Sequence, residues 1–392
     1  MTPYIDYYKK HKIIPTIDLD DISIKNMFQQ RESFYFLLSI QKNAFKNSSI
    51  LELCPGNGYN AYYLLTALNP SKITLVDNNE YSIRGLKKNL KKFKDKKIIY
   101  SDIYKFNTNK KYNFVIIENT LPGLDNPKKI FNKSISFLEK EGTLITTLSD
   151  DFSLFSEKLR FLMSHIIINS DDIKDLNRDK KIDILSNIFQ SHLRTLNTDT
   201  RSAKKWVQDN MLHYEWMTKK NYFSIDDIYE IFLKKKNFSI IRTSPDFNTN
   251  YQWYKKYDRL RYMQNLYKNY TENKINFIDR KDKFNSKNTK ENGQVLKKIY
   301  NQIKSINMLI NLLEENSLFP DGKIKKIVNK LKFLNVQLNL LDSSDHLYIS
   351  INEFIIFLEK FIDKKEIDLK ILKKFKSFWG NGTMQISIIK HY

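Results

Sequence analysis

The sequence predicts an α/β fold: a mostly parallel sheet with an antiparallel last strand and large helical insertions. Three observations predict it. Short apolar runs alternate with helically spaced stretches through residues 46–150, the pattern of successive βαβ units. The first four runs each carry an acid at or beside the carboxyl end: Glu52, Asp77, Asp102 and Glu118. Ligands of such sheets bind at that edge. Finally, the first run opens into the turn Cys54-Pro-Gly-Asn-Gly58 and then a helix-like segment. Glycine there removes the Cβ that would block a tight turn and a close ligand.

The elements follow in order. Residues 1–45 read as a helical lead-in, with Ser33–Phe45 as the helix before the first strand. Strands are expected at Ile50–Leu53, Ile73–Val76, Lys97–Ser101, Tyr112–Ile117 and Gly142–Leu148. Tyr59–Leu68, Tyr81–Phe93 and Pro127–Leu138 lie between them with helical spacing. From Asp151 the texture changes, and residues 151–236 are expected to form a helical cap around Phe152–Ile168 and Lys181–Leu196. Ser224-Ile-Asp-Asp227 has the form of a capping box. Residues 237–255 are expected to hold a returning strand and loop, 256–375 a helical insertion, and 376–392 a final strand that completes the sheet. Within the insertion, Gln294–Leu313, Lys323–Leu341 and Ile351–Ile362 are helical in period, while 269–292 is polar and reads as a linker or mobile loop. The helical regions are expected to cap the site, form a homodimer interface, or both.

Gly56, Gly58 and Ala61 satisfy G-x-G-x-x-A, which also fits a dinucleotide fold. Asp77 lies about twenty residues on, where a carboxylate would accept ribose hydroxyls. With these motifs in order over roughly residues 45–150, the chain resembles the class I S-adenosylmethionine-dependent methyltransferases. Glu52–Gly58 looks like their glycine motif and Lys140-Glu-Gly-Thr-Leu-Ile like their fifth-strand entry. The resemblance implies a Rossmann-like methyltransferase sheet and S-adenosylmethionine as cofactor. It implies binding through Glu52, Cys54, Gly56, Gly58, Asp77, Asn78, Asp102, Ile103 and Glu118. Cys54 departs from the pattern, standing where the family usually has a glycine. Gly56-Asn-Gly-Tyr-Asn60, Glu118-Asn-Thr-Leu-Pro-Gly123, Trp206-Val-Gln-Asp-Asn210, Trp253-Tyr-Lys255 and Trp379-Gly-Asn-Gly382 further resemble a set of largely uncharacterised bacterial methyltransferases.

Methyl transfer from a sulfonium needs chiefly an acceptor held in line, and for an oxygen or ammonium acceptor a base. Glu118, after the fourth strand, is the candidate catalytic residue, with cofactor binding or backbone capping as its plainer role. Asn60, Trp206, His213, Trp253 and Tyr254 are the candidate acceptor-binding residues, although aromatic side chains are more often core. Asp150 and Asp151 follow the fifth strand and stand near the acceptor or start a helix. No H-x-x-H pair or Cys/His cluster suggests a metal. Glu118-Asn-Thr-Leu-Pro also lacks the Asp/Asn-Pro-Pro-Tyr/Phe signature of methylation at exocyclic or amide nitrogens.

The net charge of +22 invites a nucleic-acid partner, but the excess is spread along the chain and Lys, Asn, Ile, Phe and Tyr are all heavily used. The expectation is therefore a small-molecule acceptor, such as a sugar or cell-surface precursor. The alternatives are an RNA or protein methyltransferase, a non-catalytic cofactor-binding interaction subunit, and an NAD enzyme. A single cysteine, no evident signal peptide and no apolar run of the 18 or so residues of a span lead to a cytoplasmic expectation.

Overall fold

A computed structural model describes residues 3–14, 16, 23–196, 201–235, 237–247, 258–282, 293–341, 345–365 and 368–391. Seven strands form one sheet: β1 (Ser49–Leu53), β2 (Lys72–Asp77), β3 (Lys96–Tyr100), β4 (Tyr112–Ile117), β5 (Leu138–Ser149), β6 (Phe238–Ser244) and β7 (Thr383–Lys390). Their order is β3-β2-β1-β4-β5-β7-β6. β1 to β5 pair in parallel, and β7 runs antiparallel between β5 and β6. The chain leaves β1 toward β2 on one side, while β4 flanks β1 on the other. The crevice between β1 and β4 is thus the point where strand order reverses, and the place where such sheets take ligands.

Alternation along the strands makes two buried faces. Leu51, Leu53, Val115, Ile117 and Leu144 enter one core, and Ile50, Phe114, Ile116 and Ile145 the other. Helices cover both: α1 (Pro3–Lys10), α2 (Ile24–Leu37), α3 (Tyr59–Tyr63), α4 (Glu80–Asn89) and α5 (Pro127–Ser136). α3 runs on into a π-helical turn, Leu64–Leu68. The remaining helices are α6 (Phe155–Ile168), α7 (Arg178–Leu193), α8 (Ala203–Trp206), α9 (Tyr214–Met217), α10 (Ile225–Lys234), α11 (Arg259–Asn273), α12 (Gly293–Ile310), α13 (Asp321–Leu338) and α14 (Asp345–Ile362). α6, α7, α12, α13 and α14 share a third core with Phe375, Phe378 and Trp379. The two insertions therefore build one helical body rather than two. Among the described residues no helix is long and apolar enough to cross a membrane.

The capping box at Ser224–Asp227 is present, with both reciprocal hydrogen bonds. Two expectations need correction. The helix before β1 spans Ile24–Leu37, not 33–45, because Ser23 caps it by accepting from the Asn26 amide at 3.1 Å. Lys42–Phe45 is a separate 3-10 turn. The stretch from 269 is not a linker throughout: α11 runs to Asn273, and Ile275, Phe277, Ile278 and Asp279 beyond it are buried. Met263, Leu266 and Tyr270 supply the buried stripe, at spacings of three and four amid Lys and Asn.

Candidate active site

The glycine turn is held open by backbone that other residues resist. Gly56 and Gly58 have φ of 60° and 86°, and Cys54 adopts 57°. Cys54 thus takes the left-handed conformation of the glycine it replaces, at a cost of roughly 1–2 kcal/mol. Its amide donates to the Val76 carbonyl at 2.8 Å, extending the β1–β2 ladder into the turn. Asp77 then fixes the turn: Oδ2 accepts from the Gly56 amide at 3.2 Å and Oδ1 from the Asn79 amide at 2.8 Å. Burial pushes the Asp77 carboxyl up to about 6, against the pull of those amides. One strand further out, Asn78 donates to Asp102 at 3.4 Å, and Asp102 also accepts from the Tyr104 amide at 2.7 Å. Ile103 is buried beside them. Gly56, Gly58, Asp77, Asn78, Asp102 and Ile103 are thus brought to one edge.

A second polar cluster fills the crevice between β1 and β4. Arg31 on α2 clamps Glu118 with two 2.9 Å bonds, one to each carboxylate oxygen. Tyr35 donates to Asn60 at 2.7 Å, and Asn60 donates to Glu52 Oε1 at 3.1 Å. Glu52 Oε2 is buried without a partner. Asn60 is therefore a bridge inside this cluster, beside the donor-side residues. The Glu52 carboxyl is pushed up to about 8, by burial first, with Asn60 pulling it down and Glu118 adding to the rise. Because the folded value lies above the ordinary 4.5, the unfolded chain gives up this proton first. The associated stability is fully present below pH 4.5 and is lost as pH rises toward about 8. Glu52→Gln is expected to flatten that fall, read from urea midpoints across the same range. An unchanged slope in the variant would refute this assignment.

The N-terminal segment lies across this edge. Thr16 Oγ1 accepts from the Asn57 amide at 3.3 Å, and its methyl group occupies the space that a Cβ on Gly56 would need. Asn79 donates to the Ile13 carbonyl at 3.0 Å. Tyr4 on α1 packs against Gly123 and donates to the Asn119 carbonyl at 3.3 Å, just past β4. Behind Tyr4, His213 is stacked between Tyr4 and Tyr7, with ring centroids 5.0 and 3.9 Å away. His213 is fully buried and neither ring nitrogen has a hydrogen-bond partner. Burial lowers its pKa to about 4, so the ring is neutral at physiological pH.

A cavity of about 700 Å³ opens between the β4–α5 loop, the segment after β5 and the helical body. Asp150 and Asp151 line its floor, Leu124–Lys128 one wall, and Tyr300, Lys304 and Asn307 of α12 another. Asp150 accepts from Tyr270 at 2.9 Å and pairs with Lys274 at 3.3 Å. Asp151 pairs at 2.6 Å with Lys158, whose side chain is fully buried and also donates to Asn311 at 2.6 Å. Trp206 is placed apart from all of this, between Phe189 and Trp379 in the helical core. Trp253 and Tyr254 lie outside the described residues. Sequence reasoning missed Arg31, Tyr35, Tyr4 and Thr16. Their partners are 25 to 115 positions away, so no local spacing signals them.

The residues of the edge fit an adenosyl sulfonium. Bare backbone stands at Gly56 and Gly58, acids stand at the ends of β2 and β3, and Glu52 keeps an unpartnered oxygen in the crevice. Residues 44–208 match the family model described as a methyltransferase domain. A malonyl-[acyl-carrier protein] O-methyltransferase from Ilyobacter polytropus is 26% identical over 155 residues, 39% of this chain and 56% of that protein. The chain thus spans little more than half the length of that curated relative. Solved structures similar to it include an N-methyltransferase, NodS, from Bradyrhizobium japonicum, with S-adenosylhomocysteine: 18% identity, TM-score 0.31, 37% of this chain and 74% of that one. Another is phosphoethanolamine N-methyltransferase 1 from Haemonchus contortus: 14% identity, TM-score 0.31, 37% and 30%. The sheet order and the turn are of the Rossmann-like kind, and the stretch that holds the first five strands is the one that resembles a methyltransferase domain.

Proposed function

We propose that this protein is an S-adenosylmethionine-dependent methyltransferase acting on a small polar acceptor. The observation that carries the reading is the acidic edge around the glycine turn: Glu52, Asp77, Asp102 and Glu118 at the ends of four adjacent strands. Asp77 would take the ribose hydroxyls, since a carboxylate holding two amides still has lone pairs free. Asn78, Asp102 and Ile103 would hold the adenine. Glu52, with its free oxygen, suits the ammonium of the amino-acid end. When bound, the cofactor supplies a methyl carbon already activated by the sulfonium. The chain's own residues then have to place the acceptor and exclude water.

The cavity beside the β4–α5 loop is our acceptor pocket. Its lining carries five aspartates, Asp125, Asp150, Asp151, Asp226 and Asp227, against four lysines, Lys128, Lys220, Lys274 and Lys304, which suits a polar acceptor without choosing the sign of its charge. His213, sandwiched between Tyr4 and Tyr7 and absent from the cavity's lining, is given no role as base in this reading. Glu118, with both oxygens held by Arg31, is a positioning residue in this reading. The relative's name puts its methyl group on malonyl-[acyl-carrier protein], but its match covers only 155 residues, so its acceptor is not adopted for this chain.

Isothermal titration tests the donor assignment. The expected result is one site for S-adenosylmethionine, competed by S-adenosylhomocysteine and weakened at least tenfold in Asp77→Ala. No heat with either ligand would sink the reading, as would preferential binding of NAD. The net charge of +22 supports a second reading, an RNA acceptor. That version requires RNA binding at low salt that falls steeply as salt is added; its absence would leave the small acceptor.

A further inference from the structure

Far from the donor edge in sequence, three ionisable side chains meet where the helical body joins the last strand. Asp279 and Asp282 follow α11, and His346 lies in the first turn of α14. One ligand atom from each lies within 4.8 Å of the others. Both aspartates are buried, at 0% and 1% exposure. His346 Nδ1 is 2.5 Å from Asp279 Oδ2, and its Nε2 is 2.9 Å from Ser377 Oγ. Asp282 Oδ2 accepts from the Leu347 amide at 2.9 Å, while its Oδ1 is buried and has no partner.

The hydrogen bonds fix the imidazole's orientation. Ser377 Oγ lies 2.9 Å from His346 Nε2 and 3.1 Å from the Lys374 carbonyl, and its hydroxyl proton can go to either. At 2.5 Å the contact between Nδ1 and Asp279 is filled by a ring proton. That proton serves Asp279 alone, and the buried Asp282 Oδ1 is left without a partner beside it. Asp345, one residue away from His346, adds a further negative charge. Of the nearby cations, Arg280 donates to the Gly380 carbonyl, and Arg160, whose charge reaches Asp279, donates to the carbonyls of Ser156 and Phe375.

The geometry points to a divalent transition-metal site formed by Asp279, Asp282 and His346, with zinc as the expected ion. One imidazole and two carboxylates, without thiolate, suit zinc or manganese, and zinc binds such a set more tightly. A 2+ ion neutralises both carboxylates with the imidazole neutral. A tetrahedral zinc with bonds of about 2.0–2.1 Å spaces its ligands by roughly 3.3 Å, so the His346–Asp279 contact opens slightly and Asp282 closes in. Ser377 supplies the outer hydrogen bond that metal-ligating histidines commonly make through their second nitrogen. The ion would staple the exit of α11 to the start of α14 and to the segment entering β7.

The same atoms resemble a serine–histidine–aspartate relay, but two features oppose that reading. The Ser377 hydroxyl has a second acceptor, the Lys374 carbonyl at 3.1 Å, that competes with His346 for its proton. The amides of Ser377 and Phe378, the natural oxyanion donors, are spent on the carbonyls of Lys374 and Phe375.

The test uses the full chain, stripped with EDTA and titrated with zinc against a chromophoric chelator. Expected are one bound equivalent per chain, a raised Tm, and an X-ray absorption signature of one imidazole with oxygen ligands and no sulfur. Asp282→Asn and His346→Gln are each expected to weaken zinc at least tenfold while circular dichroism is retained. The absorption signature of the unaltered chain stands alone should either variant fail to fold. The site is overturned by no bound zinc, by sulfur or several imidazoles in the ligand set, or by equal affinity in the folded double variant. Stoichiometric labelling of Ser377 by a fluorophosphonate overturns it in favour of the relay.

Discussion

Gly380→Ala is expected to destabilise the protein by about 3 kcal/mol, or to prevent folding, while Gly382→Ala in the same turn costs under about 1 kcal/mol. A Cβ on Gly380 would sit 2.1 Å from the Ser153 carbonyl oxygen, 3.0 Å from that of Phe277 and 3.1 Å from that of Ile278. All three are backbone atoms, drawn from two separate segments at Ser153 and at Phe277–Ile278, so none can yield alone. The Gly380 amide meanwhile donates to Ser156 Oγ at 3.0 Å and its carbonyl accepts from Arg280 at 3.0 Å, so the residue cannot slide away without losing both. At Gly382 the nearest atom is the end of a flexible side chain, Leu154 Cδ2 at 2.6 Å, which can rotate. Urea midpoints with an unchanged m value make the comparison. Equal midpoints for the two variants would refute the tight junction between the helical body and β7.

This turn also shows what the sequence concealed. The donor edge was legible because strand and helix periods are local and because glycine is a recognisable solution to a local steric problem at Gly56 and Gly58. Even the departure at Cys54 follows that logic, since the chain places a cysteine at φ 57° where a glycine is usual. Contacts between distant segments leave no such trace. Arg31 sits in the polar run Gln29-Gln30-Arg31-Glu32, and nothing there foretells a partner 87 residues on. Trp206 shows the opposite error: an aromatic residue in a motif-like run turned out to fill the helical core. Residues 259–273 escaped notice because a stripe of three buried side chains was diluted by Lys and Asn. The acids at 279 and 282 gain meaning only when α14 brings His346 to them.

Removing either half of the Arg31–Glu118 clamp is expected to have a large and unequal effect. Arg31 has 7% of its side chain exposed and Glu118 23%. Glu118→Ala strands a guanidinium that water cannot reach, whose Nε already lacks a partner, and should cost about 3–5 kcal/mol. Arg31→Met leaves a carboxylate that can turn toward solvent and should cost less, while the Arg31→Met/Glu118→Ala double variant should cost less than the sum. A coupling of about 1.5 kcal/mol or more is expected from such a cycle, and strict additivity would show that the pair contributes only as two separate side chains. Glu118→Gln, which keeps the shape, separates the functional roles. If Glu118 positions the donor site, S-adenosylmethionine affinity falls at least tenfold and the pH profile of turnover keeps its shape. If Glu118 is the base, kcat falls, donor affinity holds and the lower limb of the pH profile disappears. The bidentate geometry favours the first outcome, because a carboxylate with both oxygens committed to a guanidinium must give up a charge-assisted bond before it can accept a proton.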